Sequence, residues 1–141
     1  EAAWRSGSLR GTDLFGVLFT SGTSGQPKGA LLSWDNLFWS ATASAFRLGA
    51  LPADRWLLTL PLYHIGGLSI LFRSALYGSA VVLPGFPADR FDLEILWRRL
   101  HAEAATLVSL VPTMLYRLLQ SHPHAADWPS TLRLLLLGGA A

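Results

Sequence analysis

The chain has 141 residues and 15.3 kDa, 51% apolar and 14% charged, enough for one domain with a buried core and too little for two. That balance excludes a disordered segment, and the absence of cysteine excludes a disulfide framework, thiolate catalysis and a zinc site built on thiolates. The net charge of +2 sets ten arginines spread along the chain and a single lysine, Lys28, against nine acidic residues. No basic stripe forms, so a nucleic-acid partner is not expected.

Short apolar runs alternate with segments of helical period, the pattern of an α/β fold with a mainly parallel sheet and flanking helices. The runs Val17 to Thr20 and Ala30 to Leu32 predict two strands on either side of a glycine-rich stretch. A helix follows, with a cap at Ser33 or Asp35, a buried face of Leu37, Ala41, Ala45 and Leu48, and an end at Gly49. Trp56 to Leu60 predicts the next strand, and Leu68, Leu71, Phe72, Ala75 and Leu76 the buried face of a second helix that ends at Gly78. The uncharged stretch from Trp56 to Phe72 is short for a membrane span and is broken by Pro61, His64 and Gly66-Gly67.

Ala80 to Leu83 predicts a strand, and Pro84 to Pro87 a connecting loop. A third helix starts at Asp92 and buries Leu93, Leu96, Trp97 and Leu100, with Glu94 four residues before Arg98 on its wet side. After a strand from Thr106 to Leu110, Pro112 opens a fourth helix that buries Leu115, Leu118 and Leu119. A loop from Ser121 to Ser130 leads to a last strand, Leu132 to Leu137.

The most informative segment is Thr20-Ser21-Gly22-Thr23-Ser24-Gly25-Gln26-Pro27-Lys28-Gly29, with three glycines, four hydroxyls and the only lysine in ten residues. Such a stretch suits polyphosphate: glycines expose backbone N–H groups, hydroxyls donate further hydrogen bonds, and lysine adds a mobile charge. By composition alone a hairpin or flexible loop is the favoured reading. A P-loop is excluded, because Pro27 stands at its second glycine, Gly29 replaces the magnesium-binding Ser/Thr, and a strand follows where a helix belongs.

In order and spacing the segment closely resembles the phosphate loop of adenylate-forming enzymes, the superfamily of acyl-CoA synthetases, luciferases and peptide-synthetase adenylation domains. Three later stretches resemble the same family in the same order. Leu60-Pro61-Leu62-Tyr63-His64-Ile65-Gly66-Gly67 is similar to the motif at the mouth of its acyl pocket. Val108-Ser109-Leu110-Val111-Pro112-Thr113 resembles another wall of that pocket, and Leu136-Leu137-Gly138-Gly139-Ala140 the turn against which adenine and the acyl group lie. Within the family, Pro61 to Ser69, Arg73-Ser74 and Val111 to Leu115 look most like o-succinylbenzoate:CoA ligases of menaquinone synthesis, with a medium- or long-chain acyl-CoA synthetase as the alternative.

The resemblance implies a carboxylate:CoA ligase that uses ATP with Mg2+ and takes CoA as second substrate. On that reading Thr20, Ser21, Gly22, Thr23, Ser24, Gly25 and Lys28 hold phosphates. His64, Gly67, Ser109 and Pro112 line the acyl pocket, and Gly138, Gly139 and Ala140 form the adenine and acyl wall. It also implies that residues 1–141 are part of a large N-terminal AMP-binding domain. The catalytic lysine and the magnesium ligands then belong to segments outside this chain, so the chain alone is expected to be inactive. A noncatalytic nucleotide-binding domain is the reading of another class. A cytoplasmic location is expected, with homodimer formation open. His101, His122 and His124 are expected to face solvent, Arg98 and Arg99 to sit on a wet helix face, and the six tryptophans to pack in the core and at its boundary.

Overall fold

A computed structural model describes residues 8–20, 26–86 and 91–139. It has two sheets. The first is an antiparallel hairpin of β1 (Leu14–Thr20) and β2 (Lys28–Ser33), in register from Gly16 opposite Leu32 to Thr20 opposite Lys28. The second is a parallel sheet of β3 (Arg55–Leu57), β4 (Ala80–Val82), β5 (Leu107–Leu110) and β6 (Leu134–Leu137), in the order β4-β3-β5-β6. The helices are α1 (Trp34–Leu48), α2 (Ile65–Tyr77), α3 (Leu93–Ala102) and α4 (Pro112–Ser121), and a single 3-10 turn covers Ala125–Asp127.

Strand alternation divides the core into two layers. Leu57, Val82, Val108 and Leu110 point to one face, where they pack with Leu96, Leu100 and Leu118 of α3 and α4. Trp56, Leu58 and Leu107 point to the other and meet Ile70 of α2. Ser109 is buried between apolar neighbours in β5, with its hydroxyl accepting a bond from the Trp56 indole.

Helix ends follow the expected grammar. Ser33 caps α1 in a reciprocal box with Asn36, Asp92 caps α3 by accepting from the Ile95 N–H, and Pro112 opens α4. Gly49 and Gly78, both at positive φ, follow α1 and α2.

Several expectations are corrected. The buried face of α2 is Gly67, Ile70 and Ser74, one position away from the predicted stripe, and Leu76 is 44% exposed. The helix is apolar on most sides, so its period did not fix its rotation; the close seat of Gly67 does. The i,i+4 ion pair of α3 and the residue that follows it joins Arg99 to Glu103 at 2.7 Å, not Glu94 to Arg98. Arg99 is also tied down by donating to the Pro84 carbonyl. His122 does not face solvent: its ring stacks on Trp97 with centroids 3.7 Å apart. Trp39 is 62% exposed, outside any core.

Candidate functional site

In parallel sheets, ligands collect at the carboxyl ends of the strands, where loops diverge. Here a cleft of about 230 Å³ opens at that edge, lined by Leu60, Gly66, Ser69, Arg73, Ser109 and Gly138 among others. A second cavity of about 140 Å³ between β2, α1 and α2 shares Ser40, Ile65, Ser69 and Arg73 with it.

The predicted pocket residues fall at different depths. Ser109 is 5% exposed and lines the cleft; its hydroxyl accepts from Trp56 Nε1 at 3.1 Å and its carbonyl from Thr59 Oγ1. Gly138 lines it too, its N–H donating to the Leu110 carbonyl at 3.1 Å. Gly139 takes a positive φ of 74°, and a side chain there would crowd Val111. Ala140 lies outside the described residues. Pro112 is exposed at the first position of α4.

His64 is the N-cap of α2, exposed, with its ring 4.7 Å from that of Tyr63 and no capping hydrogen bond from its side chain. Its neighbours Ile65 and Gly66 line the cleft. Gly67 is buried: a Cβ there would lie 2.3 Å from the Pro61 carbonyl oxygen and 2.5 Å from that of Leu60. Its missing side chain lets α2 start directly against this backbone.

Two of the phosphate-loop candidates, Thr20 and Lys28, sit at the end of the hairpin. Thr20 and Lys28 are register partners, both exposed, and Thr20 Oγ1 donates to the Lys28 carbonyl at 3.4 Å. Ser21, Gly22, Thr23, Ser24 and Gly25 lie outside the described residues. The hairpin and the phosphate readings of this segment are therefore compatible, since two antiparallel strands present the lysine at their end. Among the described residues no group of three His, Cys, Asp or Glu side chains converges as a metal site.

Sequence reasoning gave Arg73 no role of its own. It projects from α2 into both cavities with its Nε buried and unpartnered, and it makes no hydrogen bond or ion pair among the described residues. Burial lowers its guanidinium from the usual arginine value, and proximity to Tyr77 partly opposes this. A half-buried cation with no acid beside it favours a carboxylate or phosphate in the cleft. One arginine among ten gives no such signal in the sequence; the signal is the missing partner.

The AMP-binding enzyme family profile matches residues 4–141. A 2-succinylbenzoate--CoA ligase of Bacillus licheniformis is 44% identical over 132 residues, 94% of this chain and 26% of that protein. O-succinylbenzoate coenzyme A synthetase from Bacillus subtilis in complex with ATP and magnesium ion matches with a TM-score of 0.82 at 39% identity, over 93% of this chain and 26% of that one. The Bacillus subtilis enzyme in complex with the acyl-adenylate intermediate matches at 0.83 and 38% identity, over 94% and 33%. The chain spans about a quarter of the length of the curated relatives it matches. No helix of the described residues is long and apolar enough to cross a membrane. With the family profile covering nearly the whole chain, this chain belongs to the AMP-binding enzyme family.

Proposed function

We propose that the chain is the phosphate- and acyl-binding part of an ATP-dependent o-succinylbenzoate:CoA ligase that works in the cytosol through an acyl-adenylate. In the first step a carboxylate oxygen of the acid attacks the α-phosphorus of ATP, and the bond to the departing pyrophosphate breaks. In the second, the sulfur of CoA attacks the acyl carbon, loses its proton, and AMP leaves. Both steps move negative charge between oxygens, so positioning and aimed donors carry most of the catalysis. Thr20, Ser21, Thr23, Ser24 and Lys28 supply such donors for the β- and γ-phosphates, with Gly22 and Gly25 shaping the loop. Bound magnesium would add charge neutralisation there. Ser109, Gly138 and the lip at His64 receive the acid.

The observation that carries the choice of acid is Arg73, a guanidinium at the cleft without an acid partner among the described residues. o-Succinylbenzoate has two carboxylates. When one is activated the other remains charged and needs a cation, whereas a fatty acid has nothing to offer Arg73. The test is CoA-ester formation by the full-length protein with o-succinylbenzoate, octanoate and palmitate. We expect kcat/KM to favour o-succinylbenzoate by on the order of a hundredfold or more, because a site built for a charged group rejects acids that lack it. Equal or greater activity with the fatty acids would overturn the assignment.

A further inference from the structure

The polar residues that line the cleft include Arg73 from α2 and Ser109 from β5, and one buried side chain reaches both. Trp56, 2% exposed in β3, donates its indole N–H to Ser109 Oγ at 3.1 Å. Its ring lies under the Arg73 guanidinium, whose central carbon is 5.6 Å from the ring centroid. Trp56 is absent from the cleft lining. The other electrostatic neighbour of Arg73 is the Tyr77 phenol, which is already engaged in donating to the Ala41 carbonyl.

The type of contact matters. An acidic residue would hold Arg73 firmly but would neutralise it, and the cleft would lose its cation. An indole face attracts the guanidinium through the ring quadrupole and leaves its charge and N–H groups free for an incoming anion. At its other end the same indole occupies a lone pair of Ser109, which turns the hydroxyl hydrogen away from Trp56.

We propose that Trp56 is a positioning residue for the acid substrate, its indole setting the Arg73 guanidinium and the Ser109 hydroxyl on the two walls of the cleft so that they meet the non-reacting carboxylate. The proposal rests on the reading of Arg73 as the partner of that carboxylate.

The test uses full-length protein and two acids that differ only in that group, o-succinylbenzoate and 3-benzoylpropionate. The readout is the ratio of their kcat/KM values, with the KM for ATP measured alongside. We expect Trp56→Leu to lower the ratio about tenfold, since the whole ring face is lost, and to leave the KM for ATP within about twofold, because the role proposed for Trp56 concerns the acid and not the phosphates. Trp56→Phe keeps an aromatic face and loses the indole N–H, so a fall of about twofold to threefold is expected. A double variant with Arg73→Leu should be no less selective than Arg73→Leu alone, because Trp56 acts through Arg73. If Trp56→Leu does not fold, the Trp56→Phe ratio decides. An unchanged ratio in the folded variants, or an effect that adds fully to that of Arg73→Leu, would overturn the proposal while leaving the functional reading intact. A wild-type protein that does not prefer o-succinylbenzoate would overturn the reading of Arg73 and this proposal with it.

Discussion

At the scale of single residues, the strongest electrostatic cluster lies away from the cleft, before the strands begin. The Asp54 carboxylate, 5% exposed, accepts from Arg133 Nε at 2.8 Å and Nη2 at 2.5 Å, from Thr106 Oγ1 at 2.9 Å and from the Leu51 N–H at 3.0 Å. Arg133 Nη1 also donates to the Leu48 carbonyl, so the cluster joins the end of α1 to the starts of β3, β5 and β6. The hydrogen bonds from Arg133 hold the Asp54 carboxyl below its usual value, against the opposing effect of burial, and those same bonds raise Arg133 above its own. A depressed carboxyl stabilises the fold above its unfolded value of about 3.9, and the contribution is lost as pH falls through the lower folded value. Arg133→Met would leave the carboxylate buried without its cation. We expect a loss of about 3 kcal/mol in urea unfolding at pH 7, and a shallower fall in stability below about pH 4 than in the wild type. Equal stability at pH 7 would show that the cluster contributes little.

At the scale of elements, the two glycines that open α2 make different demands. A Cβ on Gly67 meets the backbone carbonyls of Leu60 and Pro61, which cannot step aside without moving the strand exit. One on Gly66 meets only Leu60 Cδ1 at 2.9 Å, the far end of a flexible side chain. Gly67→Ala should therefore cost about 1–3 kcal/mol or more, and it should raise the KM for the acid because Ile65 and Gly66 move with the helix start. Gly66→Ala should cost less. Urea unfolding and acid kinetics on both variants check this, and the reverse order of effects would show that the seat of α2 is elsewhere.

Much at this scale was legible in the sequence because it is local. The Ser33 cap, Pro112 at a helix start and the glycines after α1 and α2 are decided within a few residues. The antiparallel partnership of β1 and β2 matches the hairpin reading of the glycine-rich stretch, whereas their separation from the parallel sheet was not legible, since an apolar run does not state which sheet it joins. The rotation of α2 was missed because its apolar residues surround the helix, and only contact with Leu60 and Pro61 sets it. The phosphate-loop candidates stood out because their composition is compressed into ten residues. Trp56 did not, and Arg73 was noted only as part of a resembling segment, because a bond such as that from Trp56 to Ser109 spans 53 positions and leaves no spacing to read.

At the scale of the whole molecule, the described residues present large apolar side chains to solvent on the hairpin and on α1: Phe19 is 68% exposed, Leu31 70%, Trp39 62% and Phe46 90%. Surfaces of this kind associate with others. In a chain that spans about a quarter of the length of its relatives, activity tests belong on the full-length protein. On the proposed reading, phosphate donors around Lys28 and an acid cleft around Arg73 serve one adenylation reaction. The measurement that tests it most directly is incorporation of labelled pyrophosphate into ATP by the full-length protein, with o-succinylbenzoate present and CoA absent. We expect exchange that requires the acid and that falls on the order of a hundredfold or more in Lys28→Ala, the loss expected when a donor aimed at developing charge is removed. No acid-dependent exchange, or exchange unchanged in Lys28→Ala, would contradict it.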